Sequence, residues 1–263
     1  MNKLTPSLRA LRVASPTPFQ GAMPTARQSR FRGIPGLGLA AFLAVIPLAG
    51  IAAGDAAAPD QNLRISHHVL TLGKDGVQRE SRYADLMFRR ADSVWVEREL
   101  PPALREDHAH EAREGKVHSG HAHADNTAAP LWVRRDAGGK VQVGMVLRQQ
   151  RKLIEVDAAN YGNVGYNGSW ANAYWLVDPA SLKRMKDLGA AGKGVQRYEL
   201  QQGESTLRID WDVAGRYARR IEQRNAHGTS LNVMTAAAIA APKTLPWQQI
   251  GSYERGEYSD LLD

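Results

Sequence analysis

Short runs in which apolar and polar residues alternate recur along this chain, and they predict β-strands. Residues 62–72 are rich in apolar and β-branched side chains, and a Gly-Lys-Asp-Gly turn follows them. Residues 77–90 and 94–100 continue the pattern up to Pro101, which cannot donate a hydrogen bond to a neighbouring strand. Because Asp-Gly between two such runs is a strong hairpin signal, these three segments predict an antiparallel meander.

Strand-like runs resume after residue 130. They cover residues 131–135, 140–149, 173–177, 196–200, 204–210, 218–224 and 230–236, and residues 151–157 fit either one more strand or a short helix. The clearest helix signal spans residues 178–188, because Asp178 can cap it, Pro179 suits its first position and Gly189 suits its end. Roughly ten short strands with one or two short helices predict a mainly β protein, a sandwich or barrel.

The first 54 residues carry the signature of a signal peptide. Their six Lys and Arg residues all precede Gly33, residues 34–53 are apolar and uncharged, and no acid occurs before Asp55. A basic segment, an apolar segment and small residues in this order predict export to the periplasm of a Gram-negative bacterium. Met23 offers an alternative start with a shorter basic segment. If the segment is not cleaved, it predicts a single membrane anchor and the protein's contact with the membrane.

Charge changes the picture once this segment is set aside. The whole chain carries a net charge of +7, but residues 55–263 hold 28 cations against 27 acids. Since a basic binding surface is the mark of nucleic-acid partners, the near-neutral remainder excludes them. We expect a linker over residues 55–61, a β-rich domain over 62–240 interrupted by a flexible loop at 102–130, and a C-terminal extension over 241–263.

The loop at 102–130 holds five of the chain's eight histidines. They are His108, His110, His118, His121 and His123. Imidazole nitrogens with neighbouring carboxylates suit copper, nickel or zinc ions, and the chain has no cysteine to add a thiolate ligand. Reversible metal binding for buffering, sensing or delivery is one hypothesis. The other is a solvated segment of low complexity without a metal function.

Aromatic residues suggest a second kind of site. Five of them lie in one stretch rich in glycine and asparagine: Tyr161, Tyr166, Trp170, Tyr174 and Trp175. We expect this stretch to be a mobile rim that binds an apolar or planar ligand. The alternative is ordinary core packing, because aromatic residues are common in strands. The chain has no cysteine and none of the common hydrolase motifs, so the sequence predicts a protein that is not an enzyme.

Three segments together resemble a known family. They are residues 94–101 (Val-Trp-Val-Glu-Arg-Glu-Leu-Pro), residues 176–179 (Leu-Val-Asp-Pro), and residues 207–212 (Leu-Arg-Ile-Asp-Trp-Asp) with Arg219 to Glu222 after them. Over residues 62–240 the chain resembles periplasmic lipoprotein carriers of the LolA/LolB type. That resemblance implies a curved antiparallel sheet, or half-open barrel, lidded by helices.

The same resemblance implies a function. Its concave face would hold acyl chains, so the chain would be an exported, non-enzymatic binding or carrier protein for a lipid or a lipidated partner. The alternative is a periplasmic metal-binding accessory protein that uses the His-rich loop and docks an unknown periplasmic partner.

Overall fold

The computed structural model describes residues 58–100 and 129–261. The signal peptide predicted at 1–54 and all five histidines of the predicted loop lie outside these residues. Within the described ranges, no helix is long and apolar enough to cross a membrane.

The described residues form one sheet of twelve strands. Their bounds are β1 (Gln61–Leu72), β2 (Gln78–Arg90), β3 (Ser93–Arg98), β4 (Leu131–Arg135), β5 (Val141–Leu147), β6 (Lys152–Val156), β7 (Lys186–Gly192), β8 (Val195–Gln202), β9 (Ser205–Asp212), β10 (Tyr217–Asn225), β11 (Ser230–Ala238) and β12 (Glu254–Glu257). Their order across the sheet is β12-β6-β5-β4-β3-β2-β1-β11-β10-β9-β8-β7. Every pair is antiparallel except β12 with β6. The mainly β, open antiparallel fold expected from the sequence is confirmed.

Helices are few and short in the described part of the chain. They are α1 (Trp170–Trp175), α2 (Pro179–Leu182) and the 3₁₀ segments Ala158–Val164, Pro246–Gln248 and Tyr258–Leu261. The helix predicted over residues 178–188 is wrong beyond residue 182. Residues Lys186–Gly192 pair with β8 instead, and Gly189 takes a φ of 83° at an irregularity of that pairing.

The strand predicted at residues 173–177 is also wrong, because local hydrogen bonds favour a helix there. The Ser169 side chain accepts a hydrogen bond from the Asn172 backbone and caps α1. The side-chain oxygen of Asn172 then accepts from the Asp178 N–H at 2.8 Å and links α1 to α2. Residues 151–157, which fitted a strand or a helix, contain strand β6.

The position of α1 shows that the sheet curves. This helix contacts β3 and β4 on one side and β10 on the other. In a flat sheet β3 and β10 would lie about 19 Å apart, since neighbouring strands are about 4.8 Å apart. A helix of six residues is only about 9 Å long. The sheet therefore wraps around α1, and the face that α1 covers is concave.

The two faces of the sheet carry different cores. The larger core lies on the concave face, where Leu63, Met87 and Ile209 are almost fully buried together with residues of α1. The smaller core lies on the convex face, where the C-terminal segment packs Ile250 against Phe88, Trp95, Val146 and Leu153. Burial on the concave face is what positions the candidate site.

Candidate ligand-binding site

Strands β8, β9 and β10 place a group of half-buried apolar side chains on the concave face. We name this group the apolar wall. It consists of Tyr198, Leu200, Leu207, Trp211 and Ile221. Ile221 and Tyr198 both pair with Ile209, which is buried in the larger core, so they share its face. The apolar wall thus continues the core towards solvent.

Residues 158–185 cross the concave face beside the wall, and we name them the lid. Tyr166, Trp170 and Tyr174 are buried in the larger core, with exposed fractions of 5%, 8% and 3%. Tyr161 and Trp175 are half-buried and pack against the same core. Three of the five aromatics predicted to form a rim are thus buried in the core, and the other two stay partly exposed. Ligand binding by them remains a prediction.

The lid aromatics pack mainly on one another. Trp170 and Tyr174 stack with ring centroids 5.0 Å apart, as side chains one helical turn apart on one face can. Trp175 meets Tyr174 edge-on at 5.0 Å, and Tyr161 meets Tyr166 edge-on at 4.9 Å. Burial of Tyr166 raises its pKa to about 12, so its hydroxyl keeps the proton and can donate a hydrogen bond at neutral pH.

Several polar atoms in this region have no hydrogen-bond partner. Tyr166 Oη, Trp170 Nε1 and Trp175 Nε1 are buried and unpaired. Each of these atoms can donate a hydrogen bond, and the indole nitrogens cannot accept one. The lid therefore presents unused donors inside an apolar environment.

Arg89 of β2 joins the lid to the sheet. Its side chain is fully buried and donates to the carbonyl oxygens of Tyr174, Arg216, Pro59 and Gly215 at 2.7–3.0 Å. Its guanidinium also lies 4.8 Å from the centroid of the Tyr174 ring. Burial lowers the pKa of Arg89 to about 10, which leaves the group charged at neutral pH.

A polar cluster lies on the same face, further along β2. The His67 ring stacks on Tyr83 at 4.5 Å, and the Arg98 guanidinium lies 3.9 Å from the same ring. His67 and Arg98 both reach the carboxylate of Asp85, at 3.1 and 2.7 Å. Burial raises the pKa of Asp85, but hydrogen bonds from His67 and Arg98 outweigh burial, so its pKa lies below the ordinary value.

Two open grooves of about 560 and 590 Å³ lie over the convex face and share His68, Val233 and Thr235. Their arginines already have acidic partners. The pairs are Arg64 with Glu99, Arg82 with Glu80, and both Arg220 and Arg224 with Glu222. Because these charges compensate one another, the grooves present no strong signal for a charged ligand. We therefore place the candidate site on the concave face.

The five histidines predicted to bind metal lie outside the described residues. Residues 58–100 and 129–261 contain no group of three or more His, Asp or Glu side chains placed to hold a metal ion. Metal binding by the His-rich loop stays a prediction.

Sequence reasoning missed the apolar wall as a unit. Its signal was present, because Leu207, Ile209 and Trp211 alternate along one strand, as do Tyr198 and Leu200 along another. Alternation shows that such residues share a face, but it does not show whether a lid covers them. The register of β8, β9 and β10 brings the side chains of the wall onto one face, and the packing of the lid shows which part of that face is covered.

No protein-family model matches the chain, and no curated protein matches it. Several solved structures do match this chain. A LolA superfamily protein is among its structural neighbours. That protein, from Nitrosomonas europaea, has 10% identity and a TM-score of 0.30, with 73% of this chain and 90% of that chain covered.

Two further structures are similar. A putative outer membrane lipoprotein-sorting protein domain from Vibrio parahaemolyticus has 8% identity and a TM-score of 0.31, covering 73% of this chain and 89% of that one. PNGF-II has 11% identity and a TM-score of 0.37 over 76% of this chain, but the chain spans only 33% of PNGF-II. No site residue is inferred from these similarities.

Proposed function

We propose that this chain is an exported, non-enzymatic carrier that works in the periplasm. It binds the apolar part of a lipid or of a lipidated protein on the concave face of its sheet. The observation that carries the proposal is the apolar wall, which leaves five large apolar side chains half-buried beside the lid. Contiguous exposed apolar surface on a soluble protein commonly marks a binding site.

The lid suits the reversible covering of such a site. Helices α1 and α2 have only six and four residues, and helices this short do not form in water on their own. The lid therefore keeps its shape by packing its aromatic side chains on the sheet. An acyl chain would compete for the same apolar surface, so binding and lid packing would be coupled.

A pair of matched variants tests the proposal. Leu207→Asn places an amide on the apolar wall, whereas Leu231→Asn makes the same change on the convex face, where Leu231 is also half-buried. Burying a leucine side chain contributes about 1.5–3 kcal/mol. We expect Leu207→Asn to weaken binding of a fluorescent fatty acid to delipidated protein by about tenfold, and Leu231→Asn to leave it unchanged. Equal effects of both variants, or no binding to the unaltered protein, would contradict the proposal.

The natural cargo is accessible by a direct measurement. The mature protein can be purified from its own periplasm without detergent and extracted with organic solvent. A carrier should yield lipid at a stoichiometric level by mass spectrometry, together with any lipidated protein that copurifies. An extract without lipid, from protein that binds no fatty acid, would count against this function.

A second proposed function concerns the His-rich loop, and its composition supports it. Five imidazoles within 16 residues can bind copper, nickel or zinc ions, and copper is favoured at nitrogen and oxygen ligands. Imidazole must lose its proton to bind metal, and its reference pKa is about 6.5. Calorimetric titration should show tighter binding at pH 7.5 than at pH 5.5. Equal affinity at both pH values, or affinity that survives deletion of residues 103–129, would overturn it.

A further inference from the structure

Unpaired buried donors are concentrated at the lid. In the described part of the chain, five buried side-chain nitrogen or oxygen atoms lack a hydrogen-bond partner. Three of them belong to Tyr166, Trp170 and Trp175, within ten residues. A fourth is Nε of Arg89, whose guanidinium binds the Tyr174 carbonyl oxygen of the same lid. A buried unpaired polar group costs about 1–3 kcal/mol, so such a cluster calls for an explanation.

The chemistry of these unpaired donors defines the kind of molecule that would satisfy them. Indole and guanidinium nitrogens donate hydrogen bonds and accept none. The Tyr166 hydroxyl stays protonated at neutral pH and is free to donate. A molecule that satisfies these groups must supply acceptor oxygens. No ion pair with an acidic side chain is present for Arg89 among the described residues, so its charge also favours oxygens that carry negative charge.

The surroundings define the rest of that molecule. Trp170 and Tyr174 lie in the larger core, and the half-buried apolar wall borders the same core. A fully polar solute would lose its hydration there without replacing it. The complement is therefore an amphiphile with a long apolar chain and an oxygen-bearing group at or near its end.

We propose that the lid recognises the acyl carbonyl group of its ligand. The hydrocarbon chain lies against the apolar wall, and the oxygens of the carboxylate or ester accept hydrogen bonds from Tyr166, Trp170 and Trp175. This inference rests on the proposed carrier function and adds the group by which the cargo is selected. A free fatty acid and an ester-linked lipid share that group, and the experiment separates them.

Three ligands with the same chain length test the proposal. Palmitic acid carries a carboxylate, methyl palmitate carries an ester, and hexadecane carries no oxygen. Their affinities for the delipidated full-length protein are measured by displacement of an apolar fluorescent probe. For each ligand the ratio of affinities between a variant and the unaltered protein is compared, because the intrinsic hydrophobicity of the ligand cancels in that ratio.

Tyr166→Phe removes one unpaired hydroxyl and keeps the ring. Tyr161→Phe is its control, because Tyr161 packs edge-on against the Tyr166 ring and its hydroxyl is not among the buried unpaired atoms. One neutral hydrogen bond contributes about 1 kcal/mol, which is about fivefold in affinity. We expect Tyr166→Phe to weaken binding of palmitic acid, methyl palmitate or both by about fivefold and to leave hexadecane unchanged. Weaker binding of palmitic acid alone indicates that the natural ligand is a free fatty acid. Weaker binding of methyl palmitate indicates that it is an esterified lipid.

The ligand-free protein gives a second measurement. If the Tyr166 hydroxyl is unpaired without ligand, its removal should leave the melting temperature unchanged or raise it. A lower melting temperature, with the three ligands affected equally, would mean that the hydroxyl serves the fold through a partner such as a buried water, and the inference would fail. Trp170→Phe should weaken binding of the same ligands as Tyr166→Phe and leave the binding of hexadecane unchanged. Failure of all three ligands to bind the unaltered protein would instead overturn the carrier proposal itself.

Discussion

Arg89 is a charged side chain with no exposed surface, and it connects four separate pieces of chain. It receives no carboxylate partner among the described residues but donates to carbonyl groups before β1, in α1 and in the β9–β10 turn. Carbonyl oxygens of turns and short helices need such donors, because they lack partners in the sheet. The arginine thus contributes to the closure of one end of the concave face.

Replacing Arg89 should destabilise the protein strongly. Arg89→Met would leave four buried or half-buried carbonyl oxygens without a donor, and we expect a loss of about 3 kcal/mol or more in the free energy of unfolding. Arg89→Lys keeps the charge but cannot reproduce the planar fork, so it should rescue only part of the loss. Urea unfolding followed by tryptophan fluorescence measures both.

The control for Arg89 is Arg79→Met. The ion pair of Arg79 with Asp75 lies at the exposed β1–β2 turn, and exposed pairs contribute little. The unfolding midpoint of the Arg79→Met variant should match that of the unaltered protein. A midpoint for Arg89→Met that is equally unaffected would show that the four contacts do not hold the fold.

Asp85 should make the stability of the protein sensitive to acid. Its folded-state pKa lies below its unfolded value, so the unfolded chain binds more protons in the interval between the two. The contribution is complete above the unfolded pKa, near pH 4, and is lost as pH falls through the folded pKa. Asp85→Asn should therefore flatten the acid side of a curve of unfolding free energy against pH.

His67→Phe separates the hydrogen bond that His67 makes with Asp85 from its stacking on Tyr83. It keeps an aromatic ring against Tyr83 and removes the nitrogen that reaches Asp85. The His67→Phe variant should show part of the flattening of the pH curve that is expected for Asp85→Asn. An acid slope that is unchanged in both variants would contradict the assignment.

Among the secondary-structure elements, the lid depends most on a few local hydrogen bonds. Asn172 links its two helices by accepting from the Asp178 N–H. Leu176, between them, takes a φ of 66°, a conformation unfavourable for a leucine. The lid is therefore held by contacts with the sheet and by this link, more than by its own helical propensity.

Asn172→Ala should loosen the lid without unfolding the sheet. The Asp178 N–H loses its acceptor, and we expect amide exchange across residues 158–185 to quicken by roughly tenfold, which corresponds to about 1.4 kcal/mol. Exchange in β1 and β2 should stay as it was. Asn163→Ala is the control, because the exposed Asn163 side chain donates a hydrogen bond to Asn160 and does not link the two helices. Equal exchange in both variants would show that the link is dispensable.

On the level of the molecule, the chain after β11 is part of the folded sheet. It covers the smaller core through Ile250, and Trp247 stacks near Trp132 with centroids 6.5 Å apart. It then returns to the edge of the sheet as β12, parallel to β6. Strand β12 therefore covers the edge of β6, which would otherwise be open to pairing with another chain.

Ile250→Ala should destabilise the protein although it lies beyond the β-rich region seen in the sequence. Its side chain is 6% exposed, and shortening a buried isoleucine to alanine costs about 2–5 kcal/mol. Val213→Ala is the control, since Val213 is 56% exposed in a turn. Calorimetric melting distinguishes them. Equal melting temperatures would mean that the C-terminal segment contributes no packing energy.

Elements whose signals are local could be predicted from the sequence. Strands β1, β2 and β3 appear within two residues of their predicted bounds at each end, because alternation and an Asp-Gly turn act over a few residues. The aromatic stretch at 161–175 was also found as a candidate site from composition alone. Its helix was not, because the cap by Ser169 and the acceptor role of Asn172 depend on the path of the chain.

The remaining features depend on contacts between segments far apart in the chain. Residues of β7 are all exposed and show no alternation, and only pairing with β8 makes them a strand. Curvature brings α1 against β3 and β10, and Trp170 and Tyr174 of α1 are buried there, while the apolar wall stays half-buried. Burial and pairing are properties of segments far apart in the chain, so no local pattern can specify them.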